Sequence, residues 1–235
     1  LGRYFHFRFA PFSLRELMSL DPPEPDETVE GLFSKPALKK KKADENLNSL
    51  SEYGPFPEPL LKQKKDFYNA WKANRHNLII REDLRDLGQL QNLAKVEMLA
   101  AILPTKVGSP LSVASLTRNI EKSHDTVKLW LNWLKELYFI FEIKPWHKKI
   151  TRSIKKESKI YLWDYNEIKN PGGKVENMVA MHLLNSCNFW TDSGKGDFEL
   201  FYLRNKDKQE IDFLIVRDGE PWLPVEVKTG STSPS

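Results

Sequence analysis

QEIDFLIVRDGEPWLPVEVK, residues Gln209 to Lys228, holds two apolar runs, IDFLIV and LPVEVK, on either side of Asp218-Gly219. An Asp-Gly pair between apolar runs is a strong signal for a two-residue hairpin turn, because both central positions of that turn need positive φ. The stretch therefore predicts two paired strands. Glu226 and Lys228 are two residues apart in the second run. Side chains alternate faces along a strand, so the two are expected on one face. The first strand brings Asp212 near its start. Carboxylates from neighbouring strands can hold a hard cation, and an adjacent ammonium can orient water or stabilise phosphate charge. Glu210 shares the face of Asp212 and reads equally well as a further site carboxylate or as ordinary surface charge.

Composition sets the frame around this hairpin. A chain of 235 residues with 40% hydrophobic side chains has room for one or two domains with real cores. The formal charge of +4 and pI near 8.9 permit nucleic-acid contact without requiring it. Cys187 is the single cysteine, which excludes a disulfide framework and suits a reducing cytoplasm. No apolar run reaches the roughly 20 residues of a membrane span, and no signal-peptide pattern opens the chain. The chain starts at Leu1 rather than Met, as expected of a fragment or processed product.

Upstream, the opening residues alternate aromatic and polar through Arg8, which predicts a strand, and Ser13 then caps a short helix. Residues 21–50 are rich in proline and charge, include four lysines from Lys39 to Lys42, and read as a mobile linker. After the turn at Tyr53, helical periodicity runs through Phe67, Trp71 and Ile79 to Leu87. Three helices follow, at residues 91–103, from Ser112 to Ile120 and from Ser123 to Leu137, with Ser123 as an N-cap. Strands at residues 138–143 and 159–163 flank a basic stretch, HKKITRSIKKESK. Three helices and a strand pair form the winged-helix pattern, a helix-turn-helix variant. The remainder, from Tyr161, predicts a helix near Gly173, a strand around Asn188 to Thr191, then FELFYLR, IDFLIV and LPVEVK as strands. A helix followed by several strands is the order of a nuclease core of the PD-(D/E)XK type.

Taken in order, Gly2-Arg3 with Pro11 and Glu16, the GPFPEP turn at 54–59, Arg81 with Asp83, Lys159-Ile160-Tyr161 with Asp164, Glu176-Asn177, Glu210-Ile211-Asp212-Phe213 and Glu226-Val227-Lys228 resemble a group of prokaryotic AAA-type ATPases. Those proteins carry a C-terminal region long labelled a domain of unknown function. The resemblance spans nearly the whole chain. It implies an ATPase domain before Leu1, with residues 1–20 its remnant, 21–88 a linker and helical segment, 89–159 a winged helix, and 160–235 a nuclease-like domain lacking its closing elements. The fold class expected is mixed α+β. It further implies Mg²⁺ held by Glu176, Asp212 and Glu226, with Lys228, Glu226 and Asp212 as the catalytic group. ATP is expected only on the absent N-terminal domain, because this chain has no G-x-x-x-x-G-K-[ST] loop.

Two classes of function follow. One is a nucleic-acid-facing region with a metal-dependent phosphodiesterase site. There Lys148, Lys149, Arg152, Lys155 and Lys156, with Lys159 beside them, supply phosphate contacts to DNA. The other is an inactive module that binds DNA or a protein partner, with the same carboxylates as charges on a half-buried sheet. For the Ser123 helix, Val127, Trp130, Leu131, Leu134 and Leu137 form the inward stripe. Its outward face offers His124, Asp125, Lys128, Asn132 and Lys135, which could read bases or pack on protein. A regulatory role for Arg3 in trans rests on its place in the family motif alone. The five histidines show no metal spacing, and no serine or cysteine sits in a nucleophile setting.

Overall fold

The computed structural model describes residues 7–20, 24–25, 40–83, 93–147, 157–205 and 209–229. Within them the chain is a mixed α+β fold of eight α-helices and one five-stranded sheet. Ser13 caps α1 (Leu14–Leu17) through a capping box with Glu16. The helical part continues with α2 (Lys40–Tyr53), α3 (Pro57–Lys62), α4 (Lys65–Asn77) and a π-helical turn over Leu78–Asp83. Residues 40–50, expected as part of a mobile linker, are thus helical. Their exposed lysines and acids leave only Leu50 buried, so the helix gains its hold from that one anchor and from its neighbours.

The next helices are α5 (Leu93–Ile102), α6 (Val113–Ile120) and α7 (His124–Glu136). Glu121 ends α6 in the left-handed conformation, and Ser123 then caps α7 by accepting from the Thr126 amide. Val127, Trp130 and Leu134 are fully buried, and Leu131 and Leu137 pack against the same core, as the helical spacing predicts. Each such burial contributes roughly 1.5–3 kcal/mol.

The sheet has the order β2-β1-β3-β4-β5, built from β1 (Ile140–Pro145), β2 (Lys159–Leu162), β3 (Phe198–Arg204), β4 (Glu210–Arg217) and β5 (Glu220–Val225). β1 pairs antiparallel with β2 and parallel with β3, while β3–β4 and β4–β5 are antiparallel. The hairpin after the helices and the strands of the C-terminal part therefore share one sheet, which passes through the boundary expected between residues 159 and 160. Asp218 and Gly219 both have positive φ and close the β4–β5 hairpin as predicted. Pro221 and Pro224 are tolerated because β5 is an edge strand.

α8 (Pro171–Asp192) packs on β2, β3 and β4. Asn170 caps it by accepting from the Gly173 amide at 2.8 Å. The strand expected at 188–191 is instead the last turn of this helix. Asn177, Ala180, Cys187 and Trp190 recur at helical spacing on its buried face, and Trp190 packs on Phe198 and Trp222. Tertiary burial overrides the strand preference of Phe189-Trp190. Phe7 and Arg8, the described end of the strand expected at the opening, are not in one, and residues 1–6 lie outside the described residues. Arg8 is instead held by Asp192, which accepts from both its amide and its guanidinium.

Candidate functional site

Sequence places Lys159 first in a strand of four buried residues. On the strand period Lys159 and Tyr161 share a face, and that face looks toward α8 and the start of β4. The Lys159 side chain is 1% exposed, yet its ammonium has three carboxylates around it. Nζ lies 2.5 Å from Glu210 Oε1, 3.5 Å from Glu176 Oε1 and 3.9 Å from Asp212 Oδ1. It also lies 5.3 Å from the centre of the Tyr202 ring on β3. The sequence groups Lys159 with the wing cations. Burial removes it from that role, since a side chain enclosed among carboxylates cannot meet a phosphate.

Each carboxylate has further partners. The Tyr161 hydroxyl donates to Glu176 Oε1 at 2.8 Å, and the Val227 amide donates to Asp212 Oδ2 at 2.8 Å. Arg204 lies 3.7 Å from the second oxygen of Glu210. Burial pushes the Glu176 carboxyl above its ordinary range, and Asp212 adds to that rise. The ammonium of Lys159 and the Tyr161 hydroxyl act against it. The Tyr161 phenol is driven well upward by burial and then by Glu176, so it stays a donor. A loop from the helical part covers the cluster at Gly108, whose φ is +76°. A Cβ there would stand 2.7 Å from Glu176 Oε2, so a side chain at this position has to displace the Glu176 carboxylate as well as adopt the left-handed φ.

The residues expected to act together are only partly assembled. Glu176 and Asp212 both reach Lys159. β5 ends at Val225, so Glu226 and Lys228 lie just past the strand rather than on it. Both are exposed, and neither makes a hydrogen bond or ion pair among the described residues. Among the described residues no group of three His, Cys, Asp or Glu side chains is arranged to hold a metal ion. Glu176, Asp212 and Glu226 thus do not fit Mg²⁺ in this arrangement: an ammonium already stands among the carboxylates, and the third expected ligand faces solvent. Lys148, Lys149, Arg152, Lys155, Lys156 and Arg3 lie outside the described residues.

A second buried polar group joins the helical part to the sheet. Asp164 is fully enclosed beside Gly54 of the GPFPEP turn, accepting from the Tyr68 hydroxyl at 3.1 Å and from the Asn166 amide at 3.2 Å. Burial, then the neighbouring Glu167, raises its pKa to about 6, with Arg75 opposing. The Arg75 guanidinium stacks over Phe56 and donates to the Tyr138 carbonyl at 2.7 Å. Farther along, Asn177 satisfies the outer edge of β2, buried under α8, by accepting from the Leu162 amide and donating to the Leu162 carbonyl, both at 2.7 Å.

Residues 44–165, more than half of the chain, match the model of a family described as a domain of unknown function, DUF8612. The chain belongs to that family. Residues 171–235 match a second domain of unknown function, DUF4143, of a kind commonly found in AAA-ATPase-associated proteins. The C-terminal part of the expected resemblance therefore holds at the level of that domain. The two matched segments meet in one sheet, with β1 and β2 in the first and β3 to β5 in the second. No curated protein and no solved structure matches the chain. No described helix is long and apolar enough to cross a membrane.

Lys159, Tyr161 and Gly108 are the site residues that sequence reading did not assemble. The available signal was a lysine opening the apolar run KIYLW, where a solvated charge is out of place.

Proposed function

We propose that this chain is a non-catalytic interaction module of an AAA-type ATPase, pairing a winged-helix-like unit with a nuclease-like sheet. The observation that carries this reading is the buried ammonium of Lys159 among Glu176, Glu210 and Asp212. A hydrolytic metal centre needs carboxylate oxygens free to ligate and an open position for water. Here the lysine takes the place of a cation, and the Tyr161 hydroxyl and Val227 amide occupy further lone pairs. Such a cluster fixes the geometry between α8 and the sheet and fills the cation position at which a water would be activated. The exposed faces are then free to serve recognition. The helix-and-hairpin unit supports a protein partner better than duplex DNA, because Glu142 and Glu157 stand opposite the basic side chains of α7.

One observation favours a second reading, a Mg²⁺-dependent phosphodiesterase. Glu176 and Asp212 already converge on one cation, as two metal ligands would. A nicking assay separates the readings, using supercoiled DNA and single-stranded RNA with Mg²⁺ or Mn²⁺. We expect no cleavage above background from the wild type. Cleavage that disappears with Glu226→Ala or Lys228→Ala would overturn the module reading.

A further inference from the structure

α7 carries His124, Lys128, Asn132 and Lys135 along one stripe, at helical spacing. In isolation that stripe looks like a helix face meant for a nucleic-acid groove. In the fold it is one wall of a groove of about 520 Å³, and the other wall is the β1–β2 hairpin. Glu142 and Ile160 are directly opposed in the strand register, so both face this space. Leu131, Ile140 and Ile160, with Leu111 at the end, supply its apolar lining. Among the described lining residues the α7 wall is thus basic and the hairpin wall acidic, with an apolar strip between them. Among the described residues one ion pair, Lys135 to Glu142 at 3.4 Å, bridges them.

His124 lies 3.8 Å from Asp125 on its own helix, whereas two other charges have no such partner among the described residues. Lys128 on one wall and the Glu157 carboxylate on the other make no ion pair among the described residues, and both are exposed. Asn132 and Ser158 stand beside them. An amide and a hydroxyl can each donate to or accept from a peptide backbone. A volume of this size takes a short chain segment or a drug-sized ligand. We propose that the groove is a docking slot for a peptide segment of a partner protein, one that carries an acidic and a basic side chain on either side of an apolar residue. The acid meets Lys128 and His124, the base meets Glu157, and the apolar side chain lies on Leu131 and Ile160. An all-acidic segment or a phosphate backbone gains at Lys128 but is repelled by Glu142 and Glu157. An all-basic segment meets the converse. The proposal rests on the module reading above and names its recognition surface.

The probes are acetylated, amidated hexapeptides with two aspartates, two central leucines and two lysines, made in both orders. All-acidic and all-basic hexapeptides and a short duplex DNA are the controls. Binding is read from the methyl resonances of Leu131, Ile140 and Ile160. One mixed-charge order is expected to shift these methyls and to bind more tightly than either single-charge peptide. Lys128→Glu, at an exposed position away from the core, is expected to weaken that peptide about tenfold. Replacing the peptide's aspartates with lysines is expected to restore binding to this variant. Absence of methyl shifts with every peptide, or binding indifferent to charge reversal, overturns the proposal. So does duplex DNA shifting the same methyls of the wild type at a lower concentration than either mixed-charge peptide. These outcomes are independent of the nicking assay. A chain that cuts no nucleic acid yet ignores the peptides refutes the slot alone, whereas cleavage refutes the module.

Discussion

Lys159→Met replaces an ammonium by a side chain of similar length and leaves three carboxylates facing each other. The parent side chain is 1% exposed, whereas Glu176, Glu210 and Asp212 are 20%, 26% and 19% exposed. Removing one partner of a fully buried pair costs about 3–5 kcal/mol. The carboxylates here reach solvent, so water and protons relieve part of their repulsion, and a loss of roughly 2–4 kcal/mol is expected. For a chain of this size that lowers Tm by roughly 5–15 °C. The loss also has a pH signature. Without Lys159 the carboxylates are left beside one another, and protonation relieves their mutual repulsion. The deficit of the variant should therefore be larger at pH 8 than at pH 5. Calorimetric melting of both proteins at the two pH values measures it. A variant as stable as the wild type at pH 8, or a deficit that grows as pH falls, would refute the role given to the ammonium.

Two further outcomes test the surroundings of this cluster. Asp164 has a pKa of about 6 against an ordinary 3.8, so the folded state favours its protonated form. Its contribution is fully present below pH 3.8 and is lost as pH rises through 6, so relative to Asp164→Asn the wild type should lose roughly 2–3 kcal/mol between pH 4 and pH 7 in urea unfolding. A gap between the two that does not change with pH contradicts the assignment. Gly108→Ala forces a left-handed φ on a residue with a Cβ and pushes Glu176 from Lys159. It should cost about 1–2 kcal/mol from backbone strain alone, and Gly108→Asn, which tolerates that φ better, should isolate the contact with Glu176 from the strain.

Local patterns were legible in the sequence wherever one element decides them. The stripe of α7 and its Ser123 cap follow from helical spacing, and the β4–β5 turn follows from Asp218-Gly219. Features that depend on what lies alongside were not. Lys159 stands next to a basic stretch and looks like one more surface cation; only the placement of α8 and β4 encloses it. Glu226 and Lys228 look like strand residues because the run LPVEVK is apolar at alternate positions. The backbone ladder stops at Val225, because the Val227 amide turns to the side chain of Asp212 instead of a strand carbonyl. The end of α8 reads as a strand because Phe189 and Trp190 favour one, while the burial of Trp190 against Phe198 and Trp222 comes from distant parts of the chain.

The central claim is that Lys159 stands where a metal ion would. Titration with Mn²⁺, followed by electron paramagnetic resonance on the wild type and on Lys159→Met, tests it most directly. The account predicts no stoichiometric Mn²⁺ binding tighter than about 1 mM in the wild type, and a newly gained site in Lys159→Met, where Glu176, Glu210 and Asp212 are freed to ligate. Stoichiometric Mn²⁺ binding by the wild type that is lost on Glu226→Ala would contradict it.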